Sequence, residues 1–212
     1  MTYIVRPMRP DDISRVVKID RLSFPRPWPP SAYLYELNYR EHSYYYVLVN
    51  DQLEDLQTDE STLARLWSDL LGPPRKGRVI GYVGLRLRDR GRDGHISTIA
   101  IHPDWRGRGL GELLLLSVLE KAIELEVDVV SLEVRETNDV AQRLYEKYHF
   151  QFVGVNAGYY HDGEDALLME VRVDREGYRE FLGEACQALE ERIGTYLCRE
   201  EKGSGPEEAV RR

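Results

Sequence analysis

The sequence is poor in cysteine and lacks long apolar stretches. Its only two cysteines, Cys186 and Cys198, lie near the end of the 212 residues, so neither a disulfide framework nor a cysteine-rich metal site is expected. No stretch reaches the roughly eighteen uncharged apolar residues that a membrane helix needs. Residues 1–9 lack the apolar segment of a signal peptide. We therefore expect a cytoplasmic protein with no membrane partner.

Basic residues are outnumbered by acidic ones, 29 to 37. The formal net charge is -8, and there is no run of lysine and arginine, whereas proteins that bind nucleic acid present basic patches to the phosphates. Direct nucleic acid binding is therefore not expected, and a mildly basic partner fits better. The five histidines are scattered without H-E-x-x-H spacing. The sequence thus predicts neither a bound metal nor a histidine triad.

The pattern of apolar residues predicts alternating strands and helices. With 42% apolar and 31% charged residues, the composition is that of a globular chain. Alternation and apolar runs predict strands at 2–6, 44–49, 78–88, 95–101, 127–135, 151–155 and 167–173. Helical spacing or apolar runs predict helices that include 13–19, 33–37, 112–125 and 138–148. The centre of the chain is β-α-β-α-β, which indicates the α/β class.

The same patterns divide the chain into a main domain and additions. Residues 1–173 are predicted to form one domain, interrupted by an insertion at 50–77 whose single apolar helical face predicts a short helix. Residues 174–199 are predicted to form a C-terminal helical extension, with helical spacing kept as far as Tyr196. The polar residues 200–212 are expected to be a disordered tail.

A glycine-rich loop from Arg106 to Gly111 joins a predicted strand to a predicted helix. Helix N-termini present unpaired N–H groups and a positive dipole end, so they bind phosphate where glycines let the backbone approach. The Rossmann pattern fails because Glu112 occupies the third glycine position counted from Gly107, and no P-loop sequence is present. A tight turn without a ligand would use the same glycines, so the loop alone leaves both interpretations open.

Further residues give the loop a family resemblance. The stretch from Ile99 to Gly111 resembles the cofactor signature of the GNAT superfamily of N-acetyltransferases, Q/R-x-x-G-x-G/A. The resemblance spans roughly Tyr3 to Val171 and implies a central mixed β-sheet flanked by helices, with the insertion helix and the C-terminal helix outside it. It also implies acetyl-CoA as cofactor, bound by loop amides at its pyrophosphate and by the preceding strand at its pantetheine arm. The residues implied are Ile99, Ala100, Ile101, Arg106, Gly107, Arg108, Gly109, Leu110 and Gly111.

Acetyl transfer to an amine needs a base, a donor to the developing oxyanion and an acid. Glu133 lies at the end of the predicted strand 127–135. A carboxylate there is unusual because central parallel strands are apolar on both faces, and ligands gather at their carboxyl ends. A solvent-exposed strand end is the alternative explanation of this residue.

Two segments resemble a particular branch of the superfamily. Residues 132–138, L-E-V-R-E-T-N, and 144–150, L-Y-E-K-Y-H-F, are similar to L-E-V-R-x-S-N and L-Y-x-x-x-G-F of the RimI-like ribosomal-protein alanine N-acetyltransferases. The resemblance implies Glu133 as general base, Tyr145 as general acid and Asn138 as a coenzyme A contact. For Tyr145 the alternative is a packed helical aromatic. Because His149 replaces a glycine after a helix, we expect it to adopt positive φ.

Four aromatic residues are candidates for binding the acceptor. Phe24, Trp28, Tyr159 and Tyr160 fall in segments that the resemblance places on the acceptor side of the cleft. Core packing is an equal alternative for Phe24 and Trp28. Alternating side-chain direction predicts that only one of the paired tyrosines faces the cleft.

The resemblance implies a function in which acetyl is transferred from acetyl-CoA to a protein N-terminal α-amine, with the N-terminal alanine of a ribosomal protein as acceptor. An α-amine, with a pKa of about 7.7 to 8.0, needs less help to lose its proton than a lysine near about 10.4. A small-molecule amine or a lysine side chain is an alternative acceptor for the same fold. An alternative of another class is a noncatalytic coenzyme A-binding module that docks on a partner.

Overall fold

The computed structural model describes residues 2–39, 41–51, 77–88, 91–194 and 196–198. The strands are β1 (Tyr3–Pro7), β2 (Ser43–Asn50), β3 (Arg78–Arg88), β4 (Asp93–Ile101), β5 (Val129–Arg135), β6 (Gln151–Asn156), β7 (Ala166–Arg172) and β8 (Tyr196–Cys198). The helices are α1 (Ile13–Ser23), α2 (Pro30–Asn38), α3 (Leu110–Glu124), α4 (Asp139–Lys147) and α5 (Tyr178–Ile193). None of the helices within these ranges is long and apolar enough to cross a lipid bilayer.

Within the described residues, the strands form one mixed sheet of eight, in the order β6-β7-β5-β4-β3-β2-β1-β8. Strands β1 to β4 are antiparallel neighbours, as are β5 with β7 and β7 with β6. The pairs β4–β5 and β1–β8 are parallel. Strand β4 is followed by α3 before the chain returns as β5, which is the crossover that a parallel pair requires.

Helices cover both faces of the sheet. Helices α1 and α2 pack over β2 and β3 in a cluster that includes the buried Tyr33, Tyr45 and Tyr82. The other cluster joins α3 to β5, α4 and α5. Nine of the fifteen residues of α3 are buried, more than the single apolar stripe of a helix on a protein surface. Helix α3 therefore lies between the sheet and α5, whose Leu182 and Leu189 belong to the same cluster.

The mixed-sheet fold predicted from the resemblance is confirmed, with differences at the ends of elements. Helix α3 begins at Leu110 and not at Glu112, because Gly109 has φ +78° and precedes the first helical turn. The prediction that helical structure reaches Tyr196 is wrong: α5 ends at Ile193, before Gly194 at φ +84°, and Tyr196 begins β8. Gly194 also has ψ -179°, a backbone conformation that is essentially confined to glycine and is incompatible with the helix, so the helix ends there.

The backbone at position 149 has the predicted conformation, whereas two predicted segments lie outside the described residues. His149 has φ +63°, as expected from its position after a helix. The predicted insertion helix and the polar tail fall in residues 52–76 and 199–212, outside the described part of the chain.

Candidate active site

Strands β4 and β5 diverge at the centre of the sheet. Their parallel ladder runs from Asp93 paired with Val129 to Ile96 paired with Leu132, although β4 continues to Ile101. The register of β4 against β3 also shifts here, so Ser97 is an extra, bulged residue. Such bulges bend a strand away from its neighbour. The result is a gap between the two parallel strands.

The predicted pantetheine contacts line this gap. Ile99, Ala100 and Ile101 pair with β3 along one edge of β4. Along the edge that faces β5, the ladder has already ended at Ile96. Within the described residues, this edge has no strand partner, so its backbone groups face the gap, apart from the Ile101 carbonyl, which accepts a hydrogen bond from Arg106 Nε. Backbone groups in this position can bind an extended, amide-containing ligand arm as a further strand would.

The glycine loop follows β4 and leads directly into α3. Gly107 and Gly109 have φ +73° and +78°, which a residue with a side chain rarely adopts. A Cβ placed on Gly107 would meet no atom within 4 Å, and one on Gly111 would come no closer than 3.9 Å to Ile101. The first-turn amides of α3, at Leu110 and Gly111, have no intrahelical acceptor. This open cradle at a helix N-terminus fits the pyrophosphate of coenzyme A.

The two arginines of the loop contact both backbone carbonyls and neighbouring side chains. Arg106 donates from Nε to the carbonyl of Ile101 at 3.0 Å and from Nη2 to Ser23 Oγ at 2.9 Å. Arg108 donates to the carbonyl of Asp104 at 3.1 Å, and its guanidinium lies 4.7 Å from the centre of the Trp105 ring. Both side chains therefore stabilise the turn that precedes the first-turn amides of α3.

Glu133 lies immediately after Leu132, the last residue of β5 that pairs with β4. Leu132 and Val134 point into the core on the α3 side, so alternation directs Glu133 to the opposite face. Its Oε2 lies 3.1 Å from Nε2 of His95, a buried histidine that is 5% exposed. The hydrogen bond from His95 lowers the pKa of Glu133, against the opposing effect of burial. The carboxylate is therefore ionised at neutral pH.

The sequence interpretation did not single out His95. In the ladder His95 lies opposite Ser131, and its Nδ1 is 3.1 Å from Ser131 Oγ. The available signal was alternation, because Ser131 and Glu133 are two residues apart and share a face of β5. Using that signal requires the register of β4 on β5, which the sequence does not contain.

Tyr145 lies on the other side of β5 from Glu133. It is buried in α4 and packs in the core cluster with Val134, its ring centre 5.7 Å from that of Phe150. Burial raises the pKa of Tyr145, and the neighbouring Tyr160 raises it further. The hydroxyl is consequently protonated at neutral pH, as a proton donor must be. Glu133 and Tyr145 thus lie on opposite faces of the sheet at β5.

Asn138, predicted to contact coenzyme A, has a clear structural task. It precedes the first turn of α4, and its Oδ1 accepts a hydrogen bond from the backbone N–H of Ala141 at 3.2 Å. This is an N-cap, which satisfies one of the unpaired donors of the helix. Asn138 therefore fixes the start of the helix that carries Tyr145.

Tyr159 and Tyr160 lie in the loop between β6 and β7, close to the end of β5. Their rings are 5.2 Å apart and nearly perpendicular, and the Arg135 guanidinium lies 3.9 Å from the centre of the Tyr160 ring. Burial raises the pKa of both tyrosines, that of Tyr160 to about 12, and the charge of Glu133 raises both further. Both side chains are therefore within electrostatic reach of Glu133, and Tyr159 is 53% exposed.

Phe24 and Trp28 are half-buried and pack against the cluster beneath α1 and α2. The Trp28 ring centre is 5.5 Å from that of Tyr33, and the backbone N–H of Trp28 donates to the buried carboxylate of Asp20 at 2.5 Å. The structure brings this loop to the same face of the sheet as Glu133, but it places these two aromatics largely in packing contacts.

Comparison with known proteins identifies the family. The model of the acetyltransferase (GNAT) family matches residues 13–150. The chain belongs to the GNAT family. Membership confirms an acyltransferase that uses acetyl-CoA as acetyl donor. Helix α5 and strand β8 lie outside the matched residues.

Individual GNAT relatives cover most of the chain. A Bacillus subtilis (strain 168) protein, described as a candidate [ribosomal protein bS18]-alanine N-acetyltransferase, is 34% identical over 171 residues, or 80% of this chain and 95% of that protein. The crystal structure of the ribosomal-protein-S18-alanine N-acetyltransferase from Escherichia coli has a TM-score of 0.64 at 20% identity, covering 83% of this chain and 97% of the other. Arabidopsis thaliana NAA60 in complex with acetyl-CoA has a TM-score of 0.64 at 19% identity, covering 82% and 100%.

Proposed function

We propose that this GNAT protein acetylates the α-amine of protein N-termini, with the N-terminal alanine of a ribosomal protein as acceptor. The observation that carries the proposal is the placement of Glu133, held by His95, at the point where β4 and β5 part. The similarity to the B. subtilis protein and the E. coli enzyme supports this choice of acceptor. Tyr159 and Tyr160, beside Glu133, are proposed to border the path of the peptide.

Glu133 is proposed as general base and Tyr145 as general acid. Acetyl-CoA, when bound, supplies a thioester whose carbonyl carbon is attacked by the amine and whose leaving group is the coenzyme A thiolate. Glu133 accepts the proton that the α-amine loses as its nitrogen bonds to the acetyl carbon. Tyr145 donates its hydroxyl proton to the departing sulfur, whose conjugate thiol has a pKa of about 8.5. Because Glu133 and Tyr145 lie on opposite faces of β5, the two proton transfers take place on opposite sides of this strand.

The cofactor residues are proposed to bind coenzyme A in two parts. The loop amides from Gly107 to Gly111 hold the pyrophosphate at the N-terminus of α3. The free edge of β4, at Ile99, Ala100 and Ile101, hydrogen-bonds the pantetheine arm. The gap then directs the arm towards Glu133 and Tyr145.

Three acceptors separate the proposed function from its alternatives: a peptide with N-terminal alanine, a polyamine and an N-terminally blocked lysine peptide. We expect kcat/KM to be highest for the alanine peptide, because its α-amine is the most readily deprotonated. Activity confined to the blocked lysine peptide or to the polyamine would contradict the proposed acceptor. Acetylation of none of the three would also contradict the proposed acceptor and would indicate an acceptor of another class.

Two conservative substitutions test the proposed roles of Glu133 and Tyr145 in proton transfer. Glu133→Gln and Tyr145→Phe each remove one proton-transfer group, and we expect kcat to fall by about 10² to 10⁴. Glu136→Gln is the matched control, because Glu136 is exposed just beyond the end of the same strand, and it should retain full activity. Retention of more than about a tenth of wild-type kcat by both active-site variants would exclude these roles.

A further inference from the structure

The last turn of α5 packs against the glycine loop. A Cβ placed on Gly109 would lie 2.9 Å from Ile193 Cγ2, 3.2 Å from Leu189 Cδ1 and 3.8 Å from Arg192 Nη2. Helix α5 lies outside the residues matched by the family model. An element outside the family core thus brings a guanidinium to the loop that fits the pyrophosphate.

The guanidinium of Arg192 is bound to a carboxylate at the start of α3. Glu112 is the third residue of that helix, and its side chain is buried. It accepts hydrogen bonds from Lys147 Nζ at 2.5 Å, Tyr148 Oη at 2.7 Å and Arg192 Nη2 at 2.6 Å. Although burial opposes it, these three hydrogen bonds lower the pKa of Glu112, so the group stays negative at neutral pH.

A negative charge here affects any phosphate bound at the loop. The positive end of the α3 dipole attracts anions, and Glu112 occupies the same helix terminus as the pyrophosphate would. An uncompensated carboxylate in this position would repel the phosphates. With Lys147 and Arg192 both bound to it, the cluster of three side chains carries one net positive charge. Without Arg192 it would be neutral.

We propose that Arg192 of the C-terminal helix is a component of the coenzyme A site, where it neutralises Glu112 and leaves the cluster positive towards the pyrophosphate. Its role is electrostatic, exerted through Glu112, and requires no direct hydrogen bond to the ligand. The proposal rests on coenzyme A binding at the glycine loop. It does not depend on the acceptor or on the roles of Glu133 and Tyr145.

The electrostatic role predicts an order of affinities that follows the cluster charge. Arg192→Gln makes the cluster neutral and should weaken coenzyme A binding by about three- to tenfold. Glu112→Gln makes it doubly positive and should strengthen binding. The double variant Glu112→Gln/Arg192→Gln has the wild-type charge of one. Its affinity should return to within about twofold of wild type, since removal of the carboxylate removes the need for Arg192.

The dissociation constant of coenzyme A, measured by isothermal titration calorimetry on the full chain, tests this order. Arg179→Gln is the matched control, because Arg179 is an exposed arginine in the first turn of the same helix, and the affinity should not change. The differences among the variants should shrink as salt is raised from about 0.05 to 0.5 M, since salt screens such interactions.

Two results would overturn the proposal. One is an Arg192→Gln protein that binds coenzyme A within twofold of wild type. The other is a double variant that binds as weakly as Arg192→Gln alone, which would indicate a direct contact or a packing role. Thermal melting of each variant identifies any loss of folding. Should Arg192→Gln be unstable, Arg192→Lys, which keeps the charge, must still bind within about twofold of wild type for the proposal to stand.

Because no acceptor is present in the titration, failure of the proposed N-terminal acetylation would leave this series unaffected.

Discussion

At the scale of single residues, the contact between His95 and Glu133 determines how the proposed base responds to pH. A general base with a lowered pKa is ionised throughout the neutral range, but it is a weaker proton acceptor. The amine is the group that limits the reaction at neutral pH, because its pKa of about 7.7 to 8.0 leaves most of it protonated. His95 thus sets the basicity of Glu133 without meeting the substrate.

The lowered pKa of Glu133 and the pKa of the amine together determine the pH profile of kcat/KM. In the wild type, the profile should rise with a slope of about one up to roughly pH 8, where the α-amine has lost its proton. The acidic limb of the profile, where Glu133 becomes protonated, should have an apparent pKa below the ordinary glutamate value of 4.5. The reason is that the hydrogen bond from His95 lowers the pKa of Glu133. Steady-state rates with a peptide of N-terminal alanine, measured from pH 5 to 9, should therefore show the amine limb alone, and a second inflection within this range would contradict the lowered pKa of Glu133.

His95→Leu removes the hydrogen bond to Glu133, so the pKa of Glu133 should rise. We expect kcat/KM to fall by about tenfold or more, as for a hydrogen bond to a charged group, with unchanged affinity for coenzyme A. Ser131→Ala, which leaves the contact between His95 and Glu133 in place, should have a smaller effect. An unchanged pH profile in His95→Leu would contradict the positioning role.

At the scale of elements, the junction between β4 and α3 depends on two glycines with the same backbone conformation but different surroundings. A side chain at Gly107 would enter open space, whereas one at Gly109 would collide with Ile193 on α5. Gly107→Ala should therefore cost only the strain of positive φ, about 1 to 2 kcal/mol. Gly109→Ala should cost more and should also weaken coenzyme A binding, because the loop must shift.

Chemical denaturation measures the loss of stability in each glycine variant, and calorimetry measures its affinity for coenzyme A. Adding Ile193→Ala to Gly109→Ala removes the colliding methyl group, so part of the loss in affinity should be recovered. Equal costs for the two single glycine variants would mean that α5 does not constrain the loop.

The elements themselves differ in how well the sequence predicts them. Strand β3 has the predicted limits, because its apolar run is bounded by polar residues on both sides. The β4–α3 junction was predicted to within two residues, since local glycine chemistry determines it. Strand β8 was not predicted, because its three residues form a strand only by pairing with β1. The link between His95 and Glu133 likewise depends on inter-strand register, which local patterns do not encode.

At the scale of the whole molecule, α5 completes the core that buries α3. Leu189 is fully buried between the two helices, so Leu189→Ala should lower the free energy of unfolding by about 2 to 5 kcal/mol. Phe152→Ala is a matched truncation on strand β6 at the edge of the sheet, where the ring is 58% exposed. It should cost much less, about 1 kcal/mol or below.

Urea denaturation compares these two variants with the wild type. Equal losses of stability in Leu189→Ala and Phe152→Ala would indicate that α5 is a peripheral attachment and not part of the core.

The pairing of β8 with β1 joins residues at opposite ends of the described chain, with Tyr3 opposite Tyr196. A contact between residues so far apart in sequence closes a very long loop, and closing it costs conformational entropy. The pairing therefore becomes favourable only after the rest of the sheet has formed. We expect β8 to dock last in folding and to detach first under native conditions. In hydrogen–deuterium exchange, its amides should lose protection before those of β3 and β4, which makes the edge beside β1 the point where unfolding begins.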